Sequence, residues 1–343
     1  LPVNVIASEA NRPGAAPLRP DCPDNESFFY EAGDKDAVEA AIASAAHVTH
    51  YHTVISRITA NTMEPRVGIG DYDSAEDRYT LYGGTQRQFQ LRRQLAEDIF
   101  GIRETQVRVI GSDVGGSFGM KSGQFPEYRL VLWASKIVGR PVRWLSDRSE
   151  GHATDYHDRD QTTDATLALD QDGRFLALKV SNVCGIGAYM EASSTISPAG
   201  HLGGLAGTYR TPLIFAESAA VFTNTSSNGP FRGSGRPEAA YVLERIIDNA
   251  AREMGIDRAE IRRRNLVPGD RMPCEKPIKA RNGLPVVLDS GDYPAAMDMA
   301  LKRAGYESFR DRQAAARAEG RYIGMGVANY VKGTGRGPFE TAT

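Results

Sequence analysis

Three places in this chain hold residues with the types and spacing to do chemistry. The first is 107–122, VRVIGSDVGGSFGMKS, where a β-branched apolar run stops and Gly111, Gly115, Gly116 and Gly119 follow, with the ring of Phe118 among them. Such glycines admit φ > 0 and let backbone N–H groups come close to a ligand. The second is 228–238, NGPFRGSGRPE, where Gly229, Gly233 and Gly235 interleave with Phe231, Arg232 and Arg236. The third is Gln86, a side-chain amide that follows Gly83-Gly84-Thr85. Two glycine loops, each with an aromatic residue and one with two arginines, read as two walls of an anionic-cofactor site. Taken alone, either loop reads as readily as a tight turn between packed elements. His47, His50 and His52 invite a metal reading, but in a strand 50 and 52 share one face and 47 the other, so no metal ligands are assigned. His152, His157 and His201 read as surface or loop residues.

The elements that must position these groups follow from periodicity. Residues 36–46 predict a helix with Val38, Ala41, Ile42 and Ala45 in one stripe, and 47–58 alternates as a strand. A short strand at 79–82 leads to a long amphipathic helix ending near Phe100, which puts Gln86 at a helix start, able to reach into a cleft. Strand 106–110 delivers the first glycine loop. The next helix, 126–138, has Pro126 in its first turn and Gly139 just past its end. After a strand at 142–145, residues 162–170 and 174–183 alternate about Gln171-Asp172-Gly173, a hairpin pattern. The second glycine loop opens a helix over 237–254, where Ala239, Val242, Leu243, Ile246, Ile247 and Ala250 recur at helical spacing. Gly255 ends it, and Asp257 caps a short basic helix, AEIRRRN, whose arginines are expected on a solvated or subunit-facing surface. Residues 267–291 read as loop, 292–303 and 308–319 as helices, and 322–331 as a last strand. Helices alternate with strands, but a hairpin intrudes. The class is α+β, or mixed α/β, and not a plain doubly wound sheet.

Composition narrows the functions. With 41% hydrophobic and 24% charged residues and a formal charge of −2, the chain has no footprint for nucleic acid or an anionic membrane. No apolar run reaches the length of a membrane span. Cys22, Cys184 and Cys274 are scattered and not in metal-ligand spacing, which points to unpaired thiols in a reducing, cytoplasmic compartment. The chain begins Leu1-Pro2 and closes in a segment with Gly333, Gly335 and Gly337, so it is expected to be a piece of a larger polypeptide.

Taken jointly, the motifs resemble a family. GGSFG at 115–119 with Thr85-Gln86 upstream, FRGSGRPEA at 231–239, RRRNL at 262–266, SGDYPAAMDMAL at 290–301 and GMGVANY at 324–330 are similar to the molybdenum-binding subunits of the xanthine oxidase family. That family includes xanthine dehydrogenases, aldehyde oxidoreductases and the large subunit of aerobic carbon monoxide dehydrogenase, whose form II this chain resembles in its second loop. The resemblance implies a molybdenum-cofactor-binding domain, with an irregular arm at 1–33, a first molybdopterin-binding domain at 34–320, and the start of a second at 321–343. It implies that Gln86 faces an oxo ligand of molybdenum, that Gly116, Ser117, Phe118 and Gly119 lie along the cofactor, and that Arg232 stands beside the metal. Gln86 and Arg232 would be the catalytic groups. Ser122, Gly233 and Ser234 would line the substrate pocket. Ser122 stands where xanthine dehydrogenases have a glutamate, Ser234 where they have a phenylalanine, and Gly233 where copper-dependent enzymes have a cysteine. Purine oxidation and a copper–molybdenum site are thereby disfavoured, leaving an aldehyde or an aromatic N-heterocycle oxidised with water as oxygen source.

By the same resemblance the cofactor is molybdenum–molybdopterin in its cytosine dinucleotide form. Iron–sulfur clusters and FAD would sit on partner subunits, since three cysteines cannot build two clusters. The catalytic glutamate of such enzymes lies in a later Gly-Glu-Gly-rich segment, which this sequence lacks. Glu150-Gly151 has the wrong context, so no catalytic base is assigned. Two rival readings stand beside this one. An NAD-dependent dehydrogenase would use strand 106–110 and its loop, but G-x-G-x-x-G spacing is missing. An inert scaffold or assembly module would hold half a cofactor site without activity.

Overall fold

The structure is a computed structural model that describes residues 3–332 except 192 and 281. The glycines at 333, 335 and 337, and the part of the expected second domain beyond 332, lie outside the described residues. The strands in the first half are β1 (Glu26–Gly33), β2 (His47–Ile55), β3 (Ile58–Thr59), β4 (Val67–Asp73), β5 (Arg78–Gly83), β6 (Val107–Ile110) and β7 (Val142–Leu145). They are followed by β8 (His157–Asp158), β9 (Gln161–Leu169), β10 (Phe175–Gly187), β11 (Leu213–Phe222), β12 (Cys274–Lys279) and β13 (Pro285–Leu288). The early helices are α1 (Ala7–Ala10), α2 (Lys35–Ser44), α3 (Gln88–Arg93, continued as a π-helix over Gln94–Phe100), α4 (Pro126–Val138) and α5 (Arg148–Thr154). The later ones are α6 (Ile196–Gly204), α7 (Arg236–Glu253), α8 (Arg258–Asn265), α9 (Tyr293–Ala304) and α10 (Phe309–Ala318).

The larger sheet has the order β1-β11-β10-β9-β2 and is antiparallel except for the parallel pair β10–β11. Strand alternation sends Leu167, Leu178 and Val180 to one face, where they pack on Val242, Ile246, Ile247 and Ala250 of α7. Ala168 and Ala177 go to the other face, against Val38 of α2. Each fully buried Val or Ile of α7 is worth about 1.5–3 kcal/mol in burial, so this stripe anchors the helix whose N-terminus follows the second glycine loop. The smaller sheet, β6-β5-β4-β7, is covered by α4. Gly70 lets that helix lie close, since a Cβ there would sit 2.4 Å from the Val131 backbone.

Several expectations are corrected. The arm is not wholly irregular: it contains α1, and β1 pairs along β11 as an edge of the larger sheet. Residues 322–331 form no strand, because an alternating segment needs a ladder partner and no described strand pairs with it. The arginines of α8 are not all at the surface. Arg262 is fully buried and donates to Glu244 Oε2 and Asp248 Oδ1, each at 2.8 Å. Residues 267–291 are less irregular than expected, since β12 and β13 pair there.

Candidate functional site

The structure brings the two glycine loops into direct contact. In the first, Gly116, Phe118 and Gly119 have φ of 96°, 53° and 104°. A Cβ on Gly119 would lie 2.5 Å from the carbonyl oxygen of Pro230 in the second loop. The Arg232 N–H donates to the Phe118 carbonyl at 2.8 Å. Glycine at 119 is therefore required twice, by its conformation and by this approach.

Gln86 lies two residues before α3, whose first residue is Gln88, between the end of β5 and the helix start. Its Oε1 accepts from Ser117 Oγ at 2.6 Å and from the Gly119 N–H at 2.9 Å. A backbone N–H can only donate, so the amide oxygen faces the loop and the NH2 end is turned away. That NH2 has no acceptor among the described residues. The guanidinium of Arg232 is likewise exposed and without an acceptor there, its carbon 5.2 Å from the Phe118 ring centre. Phe118 itself is 43% exposed. Gln86, Ser117, Phe118, Gly119 and Arg232 thus form one patch with two sets of unused donors.

The other three named residues are turned inward on their loops. Ser122 Oγ is bonded to the Gly119 carbonyl, and Ser234 Oγ donates to the Phe231 carbonyl at 3.4 Å. At Gly233 φ is 98°, and a Cβ would lie 2.3 Å from Pro237 Cγ, so no side chain fits this conformation. The histidines do not converge: His47 meets Glu253, His50 Thr166 and His52 Asp164.

Residues that the sequence reading passed over hold the loops. Lys121, fully buried, donates to Glu64 Oε2 at 2.7 Å, and the same oxygen accepts the Gly115 N–H at 3.0 Å. Under the second loop, Asp158 Oδ2 accepts the Phe231 N–H at 2.8 Å, and Arg159 donates to Glu238 Oε1 at 2.6 Å and to the Arg232 carbonyl at 2.9 Å. Burial pushes the carboxyls of Asp158 and Glu238 up, against the opposing charge of Arg159. Lys121 and Glu238 stand inside the two quoted motifs, so they could have been singled out. Glu64, Asp158 and Arg159 carry no local signal.

Residues 18–266 match the family of the molybdopterin cofactor-binding domain. This chain belongs to that family. It is 34% identical over 304 residues to the 6-hydroxypseudooxynicotine dehydrogenase complex subunit gamma of Paenarthrobacter nicotinovorans, covering 89% of this chain and 38% of that one. It is 32% identical to the carbon monoxide dehydrogenase large chain of Hydrogenophaga pseudoflava, over 99% of this chain and 44% of that one. The structure of quinoline 2-oxidoreductase from Pseudomonas putida 86 superposes with a TM-score of 0.85 at 32% identity, covering 93% of this chain and 40% of its own. The fold is thus that of the molybdenum-cofactor-binding domain, as the motifs implied. The chain spans less than half the length of these relatives. No described helix is long and apolar enough to cross a membrane.

Proposed function

We propose that this chain forms one wall of the cofactor site in a molybdenum hydroxylase. The observation that carries the proposal is the pair of unused donors, Gln86 NH2 and the Arg232 guanidinium, on two residues that are each hydrogen-bonded to the same loop at 117–119. A cofactor rich in negative oxygen fits that donor set: the neutral amide suits an oxo acceptor, the guanidinium suits charge, and Gly116, Ser117, Phe118 and Gly119 suit a close-lying ligand. When bound, a molybdopterin-held molybdenum supplies the two-electron redox centre of a hydroxylation that takes its oxygen from water. Arg232 would place a positive charge beside that centre, where it would stabilise negative charge. Gln86 orients by donation alone, and the Phe118 ring lies beside the Arg232 guanidinium.

The substrate in this proposal is an aldehyde or an aromatic N-heterocycle. Two of the relatives are named for nitrogen-containing substrates, quinoline and 6-hydroxypseudooxynicotine. The crowding at Gly233 disfavours a thiolate there and with it a copper site. The proposal includes the cytosine dinucleotide form of the cofactor, a catalytic glutamate on the remaining large-subunit segment, and iron–sulfur and FAD partner chains in the cytoplasm. It places the first domain at 34–320, extended to take in β1, and a second opening at 321. Residues 1–343 alone are expected to be inactive, because the second wall and the base are supplied elsewhere.

Elemental analysis for molybdenum with release of the pterin nucleotide, on full-length protein purified with its partners, tests the reading. Arg232→Ala and Gln86→Ala are expected to lower turnover by about 100-fold or more while unfolding within about 1 kcal/mol of wild type. Wild-type turnover in both variants, or full-length protein without molybdenum, would sink it.

A further inference from the structure

The link between β8 and β9 is strained, and nothing in the link itself explains why. Arg159 and Asp160 are consecutive non-glycine residues with φ of 69° and 55°. Non-glycine residues are uncommon in that region, and a long side chain such as that of Arg159 stays in it only where its surroundings fix it there. Both of these are fixed. Asp160 Oδ2 accepts from Arg57 Nη2 at 2.8 Å and Nε at 3.2 Å, above the close backbone of Gly185. Arg159 turns under the second glycine loop, its side chain 10% exposed.

There it reaches the backbone around Arg232 from below. Nη1 donates to Glu238 Oε1 at 2.6 Å and to Asp158 Oδ2 at 3.3 Å, and Nη2 to the Arg232 carbonyl at 2.9 Å. The guanidinium carbon lies 5.1 Å from the Phe231 ring centre. Asp158 Oδ2 also accepts the Phe231 N–H at 2.8 Å and the Ser197 hydroxyl at 3.0 Å. The Phe231 carbonyl takes the Ser234 N–H at 2.9 Å, and the Arg232 N–H goes to Phe118. Every backbone polar group of residues 231 and 232 is therefore used, while the Arg232 guanidinium has no acceptor among the described residues. A free charge on a fully tied backbone is what preorganisation requires.

We propose that Arg159 is a positioning residue which, with Asp158 and Glu238, fixes the backbone of Arg232 so that its free guanidinium keeps one direction above Phe118. The proposal rests on the reading of Arg232 as part of a molybdenum cofactor site. It adds residues that touch neither cofactor nor substrate. The strain at 159 and 160 is the conformation that aims Arg159 at the Arg232 carbonyl.

The test uses full-length protein with its partner chains and the variants Arg159→Met and Arg159→Lys. Molybdenum content, backbone hydrogen exchange across 229–236, and the molybdenum(V) paramagnetic resonance signal after partial reduction with dithionite are read in each. Arg159→Met is expected to retain molybdenum, to exchange the Phe231 and Arg232 amides about tenfold faster than wild type with the rest of the chain unchanged, and to shift the signal. Arg159→Lys keeps a donor and is expected to fall between wild type and Arg159→Met on both readouts. Unchanged exchange, exchange that quickens evenly along the whole chain, or a wild-type signal despite quicker local exchange would overturn the proposal. If Arg159→Met does not fold, the same outcomes are read on Arg159→Lys. If wild-type protein holds no molybdenum, the functional reading fails, and local exchange alone decides the positioning role.

Discussion

The first glycine loop is tied through Glu64, whose side chain is 31% exposed, whereas the carboxylates that tie the second, Asp158 and Glu238, are 0% and 1% exposed. Both loops use one device, a carboxylate that accepts a loop N–H and pairs with a buried cation. They differ in where the water is. Glu64 lies within reach of solvent and salt, and the loop it holds presents the side chain of Phe118. Asp158 and Glu238 are sealed, and the loop they hold presents a charge. A ring can adjust around a ligand, but a guanidinium acts only from a fixed place, so the drier clamp sits under Arg232.

The most severe way to break this comparison is at the point where the loops touch. Gly119→Val puts a branched side chain at φ 104° against the Pro230 carbonyl, and it is expected to cost about 3 kcal/mol or more and to abolish molybdenum retention. A wild-type melting temperature with bound metal would remove the contact from the account. The next test sets the two clamps against each other. Glu238→Ala leaves Arg159 buried with the imperfect partner Asp158 and is expected to cost about 3–5 kcal/mol. Glu64→Ala is expected to cost about 1–3 kcal/mol, because water reaches the Lys121 site once the carboxylate is gone. Denaturant unfolding of both variants checks the order, and the reverse order would void the distinction.

The smallest effect concerns His157, whose carbonyl accepts the Gly229 N–H at 2.8 Å at the entry to the second loop. Its Nε2 faces the His152 carbonyl, an acceptor, so Nε2 carries the proton and the buried Nδ1 is bare. Burial holds its pKa below the ordinary 6.5. A depressed histidine contributes stability that is full above the unfolded value and lost as pH falls from about 6.5 through the folded one. Asp158 and Glu238, raised by burial, act with the opposite sign, so the quantity to measure is the difference between wild type and His157→Gln. The variant is expected to lose less stability than wild type between pH 7.5 and 5, read by thermal unfolding, and parallel curves would remove His157 from the second clamp.

What could be read from the sequence depended on whether the cause was local. Helix α4 was legible because Pro126 and Gly139 mark its ends, and the hairpin β9–β10 because its alternation brackets a turn. Helix α7 was legible from its apolar period. Strand β11, LIFAESAAVF, was passed over because it lies buried beside a parallel partner and does not alternate cleanly. Strand β4 was hidden by Gly68 and Gly70, which look like turn residues until α4 is laid across them. Within the site, the glycine loops and Arg232 were visible as types in a pattern. Their clamps were not, since Glu64 is 57 residues from Lys121 and Arg159 is 79 from Glu238. Arg262 was misread for the same reason: its partners lie on the preceding helix.

Strand β1 has a consequence for the order in which the chain can be built. Its register sets Glu26 beside Val221 and Gly33 beside Phe215, so its partner leaves the ribosome almost two hundred residues after it does. Until then Phe28 and Phe29 have no ladder to join, while β9 and β10, a neighbouring hairpin, can already pair. A nascent chain halted before β11 would carry a waiting, aromatic edge strand, the kind of segment that chaperones hold and that invites mispairing with another copy.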